Sequence, residues 1–133
     1  MATETQGLTR DQLAALPASY FKAVDAKDVD GVVSHFADDA TLSVQTDHVT
    51  FNGAGEIRRM FTDFLGGSTS VKHEITNIVV EEAAAKVATE QNYIGDLTDG
   101  THNDMHNCNF FDVGPDGRFT RVIIWMAGTN PLK

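Results

Sequence analysis

Cysteine and proline are scarce in this 133-residue chain, which has one cysteine and three prolines. Cys108 has no second cysteine with which to form an internal disulfide, so the composition suits a reducing compartment and we expect a cytoplasmic protein. No run of about eighteen apolar residues occurs, and the N-terminal residues lack the basic and apolar segments of a signal peptide. The sequence therefore predicts neither a membrane-spanning nor an exported protein.

Basic residues are also few, since 10 lysines and arginines stand against 19 aspartates and glutamates, for a formal net charge of -9. A polyanion would be repelled by such a surface, so we expect no binding to nucleic acid. Apolar residues make up 41% and charged residues 22% of the chain, which are ordinary globular proportions. At this length we expect a single domain over residues 1–133, with residues 1–8 as a flexible tail.

The first third of the chain carries helical periodicity. A capping box that begins at Thr9 predicts a first helix, and Pro17 either kinks this helix or begins another, with helical structure reaching about Asp25. Asp28 is placed to cap a second helix, whose apolar positions continue to Phe36 and which should end near residues 37–39. A short strand over 41–45 is predicted to follow.

The remainder of the chain changes from helical to alternating patterns. A turn at 52–55 leads into a third helix, which should end at 66–67. Four successive strands are then predicted, over 71–81, 83–95, 101–113 and 118–128. Turn signals at 98–100 and 114–117 connect them as an antiparallel meander. Helices followed by strands predict an α+β fold, with the helices packed on one face of a curved sheet.

Two stretches of the chain resemble a known superfamily. The text YFKAVDAKDVDGVVSHFADDAT, which begins at Tyr20, and the segment GAGEIR at 53–58 are similar to the opening of nuclear transport factor 2-like proteins. SnoaL-like polyketide cyclases and ketosteroid isomerases belong to that superfamily. The resemblance covers nearly the whole chain. It implies a cone-shaped, curved antiparallel sheet with the N-terminal helices on its concave face, and a homodimer.

The ketosteroid isomerase pattern is matched only in part. By this resemblance Tyr20 falls on the tyrosine that hydrogen-bonds the steroid oxyanion, and Asn109 replaces a second donor, an aspartic acid. Val44 falls where that family has its general-base aspartate, and valine accepts no proton. The isomerase mechanism is therefore not expected, and Val44 is expected only to contact substrate.

The dehydratase branch, which includes scytalone dehydratase and the bile-acid 7α-dehydratases, is more similar. There a tyrosine and an aspartate of the first helix work with a histidine on the first long strand, and these resemble Tyr20, Asp25 and His73. The resemblance implies that His73 is the general acid and base, Asp25 orients its ring, and Tyr20 donates to a carbonyl or enolate oxygen. Asn109 resembles the asparagine that holds substrate in scytalone dehydratase.

A function follows from this resemblance as a hypothesis. We expect a cofactor-independent lyase or isomerase (a dehydratase, isomerase or cyclase) acting on a hydroxylated carbonyl compound, polycyclic or polyketide-like. The alternative is a non-catalytic small-molecule-binding or dimerisation module of the same fold.

Each candidate catalytic residue also has a purely structural interpretation. Residues five apart on a helix point about 140° apart, so Tyr20 and Asp25 reach one pocket only if the helix ends before Asp25. Otherwise Asp25 is a solvated loop residue. Independently of this, Tyr20 could be a core tyrosine with a satisfied hydroxyl, and His73 a strand histidine on the surface.

Strand alternation, with the isomerases as a guide, predicts the lining of the pocket. The expected substrate contacts are Val44, Phe61, Thr89, Gln91, Tyr93, Asn107, Phe111, Val122, Ile124 and Met126. Thr89, Gln91 and Asn109 are polar where a packed core would be apolar. An oxygenated ligand would pair with them, and the alternative is mutual hydrogen bonding or ordered water.

The opposite face of the sheet carries a second set of candidate residues. His102, Asp104 and His106 alternate along one strand and offer two imidazoles and a carboxylate to zinc or iron. Such spacing is common by chance and faces away from the pocket, so we predict no metal site. Ile123 and Trp125 fall on the same outer face, which we expect a second subunit to cover.

Overall fold

The computed structural model describes residues 7–132, so residues 1–6 of the expected tail lie outside the described part. Helix α1 spans Arg10–Asp25 and begins with the predicted capping box. The Thr9 hydroxyl accepts a hydrogen bond from the Gln12 backbone at 3.1 Å, and the Gln12 side chain accepts one from the Thr9 backbone at 2.9 Å. The helix continues through Pro17 and brings Asp25 to its last position.

The second helix is shorter than its sequence pattern indicates. Helix α2 spans Val29–Val33 and is capped by Asp28, whose carboxylate accepts from the Gly31 backbone at 3.0 Å. Phe36 is the first residue of strand β1, Phe36–Val44, so the prediction of a helix to residues 37–39 was wrong. Because Phe36 is buried in the same core as the buried apolar residue of α2, its position fits the helical spacing, and the pattern did not distinguish the end of α2 from the start of β1.

The other elements follow the predicted order, with one addition. The short strand β2, which the sequence pattern did not reveal, lies between a 3-10 turn and the third helix. The remaining bounds are Gln45–Asp47 for the 3-10 turn, Val49–Asn52 for β2, Gly53–Gly66 for α3, Ser68–Glu81 for β3, Lys86–Leu97 for β4, His102–Val113 for β5 and Phe119–Trp125 for β6. The third helix and the four long strands are therefore confirmed.

The six strands form one curved, unclosed sheet in the order β2-β1-β6-β5-β4-β3. Neighbouring strands are antiparallel except β1 and β6, which run parallel and pair Leu42 with Val122. Helix α1 packs on β3 and α3 packs on β1, so the core lies between the helices and one face of the sheet. The predicted α+β class is confirmed.

The outer face of the sheet has no helix on it within residues 7–132, and large apolar side chains lie exposed there. Phe110 is 46% and Trp125 is 48% exposed. None of the helices in the described residues is long and apolar enough to cross a bilayer.

Candidate active site

The side chains of Asp25 and His73 form a close pair. His73 lies on β3 and Asp25 ends α1. One carboxylate oxygen lies 2.7 Å from His73 Nδ1, and the other accepts the His73 backbone N–H at 2.8 Å. Both carboxylate oxygens of Asp25 thus bind the same residue, and these two contacts fix the position and the plane of the imidazole.

This arrangement determines the tautomer of a neutral His73. A carboxylate only accepts, so Nδ1 carries the proton and Nε2 keeps its lone pair. His73 lines a cavity and also an outer hollow that it shares with Asp25, and its Nε2 has no hydrogen-bond partner among residues 7–132. A histidine held in this way is arranged as a general base, and Asp25 would stabilise the imidazolium that forms.

Two aromatic rings hold the imidazole from its faces. The ring of Phe21 stacks on the imidazole at a centroid distance of 4.5 Å, and the ring of Tyr93 also stacks on it, at 5.2 Å. Sequence reasoning did not identify Phe21 as a site residue. The signal was present, because Phe21 and Asp25 are four apart on α1 and so share one side of the helix.

Tyr20 and Asp25 point in different directions from α1, and each contacts a different part of the molecule. Asp25 lies at an outer hollow with Lys22 and Ile75 and does not line the cavity. Tyr20, by contrast, lines the cavity. The helix therefore does not need to end before Asp25 for both residues to serve one site.

Tyr20 is both a core residue and a cavity residue: its ring packs in the core, and the residue also lines the cavity. Its ring is 3% exposed and is surrounded by other aromatic rings at centroid distances of 5.0 to 6.2 Å, those of Phe21, His35, Phe36, Phe61, Phe111 and Phe119. Its hydroxyl makes no hydrogen bond with any residue of 7–132. Burial, and then the charge of Asp25, raise the pKa of this hydroxyl, so it remains a protonated donor.

The three polar residues expected in the pocket bond to one another. The Thr89 hydroxyl donates to Gln91 Oε1 at 2.7 Å, and Gln91 Nε2 donates to Asn109 Oδ1 at 2.9 Å. We call this chain the amide relay. Mutual hydrogen bonding, one of the two alternatives, is therefore present, and it leaves Asn109 Nδ2 without a partner within residues 7–132. Asn107 is similar, since its Oδ1 accepts from Ala127 while its Nδ2 has no such partner.

The cavity has a volume of about 40 Å³ and a mainly apolar lining. Its walls include the expected residues Phe61, Gln91, Tyr93, Asn107, Asn109, Ile124 and Met126 together with Tyr20 and His73. Residues not expected there are Phe21, Val24, Phe64, Pro131 and Leu132. A volume of this size holds a few water molecules.

Four residues expected to line the pocket do not line it. Phe111 packs in the aromatic cluster around Tyr20, and Val44 and Val122 are fully buried in the core. Thr89 bonds to Gln91, which lines the cavity in its place. Alternation assigned these side chains to the inner face, but the packing of the helices decides which part of that face stays open.

The C-terminal segment separates the cavity from a larger groove. Pro131 and Leu132 line both the cavity and an outer groove of about 390 Å³ beside α3. From Gly128 to Leu132 the described hydrogen bonding is confined to one contact, in which Asn130 Oδ1 accepts the Leu132 N–H at 2.8 Å. The wall between cavity and groove is thus held mainly by side-chain packing.

The histidines of the outer face do not converge on a common point. His102 Nδ1 lies 2.6 Å from Asp96, and His106 bonds to Asn92 at 2.7 Å and Glu90 at 3.2 Å. Hydrogen bonds from Asn77 and His106 hold the pKa of Glu90 below its usual value. Residues 7–132 contain no group of three or more potential ligands suited to a metal ion.

An open, curved six-stranded sheet with helices packed on one face defines the class of small α+β proteins with nuclear transport factor 2-like architecture. The family model described as SnoaL-like domain matches residues 18–122. The chain therefore belongs to the SnoaL-like family. No curated protein sequence matches it significantly.

Solved structures share this fold over most of the chain. A provisionally named aromatic ring hydroxylase from Novosphingobium aromaticivorans is 26% identical, with 96% of this chain and 100% of that chain covered and a TM-score of 0.81. The BvnE pinacolase of Penicillium brevicompactum is 15% identical over 89% and 87%, with a TM-score of 0.78. An LEH-like epoxide hydrolase of M. tuberculosis is 18% identical over 87% and 83%, with a TM-score of 0.75. These structures show that the fold is shared over most of the chain.

Proposed function

We propose that this protein is a cofactor-independent acid-base enzyme that converts a hydroxylated, carbonyl-containing small molecule. One observation carries the proposal: Asp25 holds His73 with Nε2 unpaired at a cavity that Tyr20 and Asn109 also line. A buried base beside unpaired donors is what proton removal next to a carbonyl requires, because the donors stabilise the enolate oxygen as it gains charge.

The chemistry divides among these residues as follows. His73 Nε2 takes a proton from the carbon beside the carbonyl, while Tyr20 and Asn109 donate hydrogen bonds to the enolate oxygen. The imidazolium, paired with Asp25, then returns the proton. If the proton goes to a departing hydroxyl, water leaves and a carbon-carbon double bond forms, as in a dehydratase. If it goes to another carbon, the double bond moves, as in an isomerase.

The lining supports an apolar substrate skeleton, polycyclic or polyketide-like. Phe61, Phe64 and Ile124 offer hydrocarbon surface beside the polar groups. Ligand pockets usually have volumes of roughly 300–1,000 Å³, which the cavity of about 40 Å³ does not reach. A substrate of this kind enters by displacing Pro131 and Leu132, which joins the cavity to the outer groove. Structural relatives that include a pinacolase and an epoxide hydrolase support the proposal of an enzyme.

An exchange assay tests the proposal without knowledge of the natural substrate. A panel of cyclic ketones and β-hydroxy ketones is incubated with the protein in D₂O and followed by proton NMR. We expect catalysed deuterium incorporation at the carbon beside the carbonyl for at least one ketone, because His73 exchanges its proton with solvent. Water loss from a β-hydroxy ketone identifies the dehydratase course.

The assay also separates the enzyme from the non-catalytic alternative. Asp25→Asn supplies the linked control, since an amide that donates to Nδ1 turns the lone pair of His73 away from the cavity. Binding of ketones with neither exchange nor turnover, in the wild type as in Asp25→Asn, would show a small-molecule-binding module and refute the proposal.

A homodimer across the outer face is a further part of the proposal. Val79, Phe110 and Trp125 lie exposed around one hollow there, bordered by charges of both signs at Lys86 and Asp112. Exposed apolar surface rimmed by polar groups marks association sites, and mixed charges allow a second copy to pair with the first. Burial raises the pKa of the Cys108 thiol, which makes it a weaker nucleophile. The scarcity of cysteine is what supports the proposal of a cytoplasmic setting.

Replacing Trp125 with glutamate is expected to convert the dimer to a monomer, because the charge would lose its hydration in the interface. Size-exclusion chromatography with light scattering should give twice the chain mass for the wild type and the chain mass for Trp125→Glu. Thr62→Glu, on the exposed side of α3, is the matched control and should remain dimeric. A wild-type protein that is monomeric at all concentrations contradicts the proposed dimer.

A further inference from the structure

The amide relay runs from the interior of the sheet to the wall of the cavity. Thr89, Gln91 and Asn109 are 1%, 1% and 2% exposed, so water does not satisfy their polar groups from outside. Gln91 and Asn109 line the cavity, whereas Thr89 does not. Thr89 lies opposite Asn109 on the neighbouring strand, and the side chain of Gln91 joins the two.

Such a relay has two self-consistent directions, because each amide offers an oxygen on one side and an NH₂ group on the other. In the observed direction Thr89 donates, and Asn109 leaves its Nδ2 for the cavity. In the reversed direction Asn109 donates to Gln91, Gln91 donates to Thr89, and Asn109 leaves a carbonyl oxygen for the cavity.

The Thr89 hydroxyl distinguishes the two directions energetically. It makes no second hydrogen bond within residues 7–132, so reversal would leave its proton without an acceptor in a buried place. An unpaired buried donor disfavours the reversed direction by about tenfold or more. The observed direction is therefore set by a residue that does not touch the cavity.

We propose that Thr89, acting through Gln91, makes the active site selective for a ligand oxygen that only accepts hydrogen bonds, such as a ketone. Thr89 and Gln91 are positioning residues, and Asn109 Nδ2 is the group they present. The proposal rests on the proposed function only in taking this oxygen to be the substrate's carbonyl. The direction of the relay is a property of the folded protein.

NMR of the ligand-free protein tests the direction. A scalar coupling across the hydrogen bond should link Gln91 Nε2 to Asn109 Cγ in the wild type. Thr89→Val removes the hydroxyl at nearly constant volume and leaves one polar atom of Gln91 unpaired in either direction. The preference for the observed direction should therefore weaken, and the reverse coupling from Asn109 Nδ2 to Gln91 Cδ should be added. Thr89→Ser keeps the hydroxyl and should match the wild type. The reverse coupling in the wild type, or no change in Thr89→Val, overturns the proposal.

Ligand preference gives a second, independent measurement. Acetophenone accepts a hydrogen bond and donates none, whereas indole donates one through its N–H. We expect the wild type and Thr89→Ser to prefer acetophenone, and the ratio of the two dissociation constants to shift about tenfold toward indole in Thr89→Val. Gln91→Met, which has no amide, should shift the ratio in the same direction. An unchanged ratio in both variants overturns the proposal.

Neither measurement needs turnover, so absence of catalysis with an intact relay would refute the proposed function alone.

Discussion

His73→Asn should lower turnover by about 10²-fold or more, the usual effect of removing a general base. Asparagine is chosen because this substitution removes Nε2 and keeps a donor in the place of Nδ1. Its Nδ2 can occupy the place of His73 Nδ1 and donate to Asp25, while nothing replaces Nε2 at the cavity. The anchoring hydrogen bond is thus retained and the base is lost. Turnover or deuterium exchange of the ketone found in the assay above provides the measurement.

A matched histidine supplies the control for this variant. His102 also lies on a strand and also pairs with an aspartate, Asp96, but it faces outward. His102→Asn should retain turnover within about twofold, because exposed substitutions away from a site have small effects. Equal turnover in wild type and His73→Asn, with both proteins folded by circular dichroism, would remove His73 from the mechanism.

Tyr20→Phe should lower turnover by about 10²-fold while the protein stays folded. Removing one donor to a developing oxyanion typically costs 10²- to 10³-fold, and Asn109 remains as a second donor. Because burial raises the pKa of the Tyr20 hydroxyl, ionisation of Tyr20 should not limit turnover near pH 10. The loss should therefore be the same at neutral and at alkaline pH up to that point.

The same variant separates the two interpretations of Tyr20. Its ring packs in the aromatic cluster, and phenylalanine preserves that packing. The urea midpoint should therefore change little. A folded Tyr20→Phe protein with wild-type turnover would show that the tyrosine serves only the core. A loss of turnover that appears only above pH 10 would contradict its role as a neutral donor.

Local chemistry and periodicity predicted most of the fold. The capping box at Thr9 and the turns at 98–100 and 114–117 lie where elements begin or reverse. Phe36 was assigned to the wrong element, because an apolar residue that faces the core is compatible with either period when a helix ends one turn earlier. Strand β2 was not predicted, since a short edge strand has little of its own alternation to detect.

The sequence predicted several of the residues that belong to the candidate site, but it did not predict how they contact one another. Tyr20, Asp25 and His73 were identified by resemblance to a family, and the sequence left open whether Asp25 meets the histidine. The 2.7 Å contact decides that question, and helix periodicity could not, because Asp25 approaches from outside the cavity. Phe21, Pro131 and Leu132 were not identified, since their places depend on how α1 and the C-terminal segment pack.

By itself the sequence determined the α+β class, the order of most elements and the side chains available for acid-base chemistry, because these depend on periods, turn residues and residue types along the chain. Only the tertiary structure decided which nitrogen of His73 is free, that the amide relay ends in a donor, and that the cavity is small. Those properties depend on contacts between residues far apart in sequence, whose distances and hydrogen-bond directions no local pattern specifies.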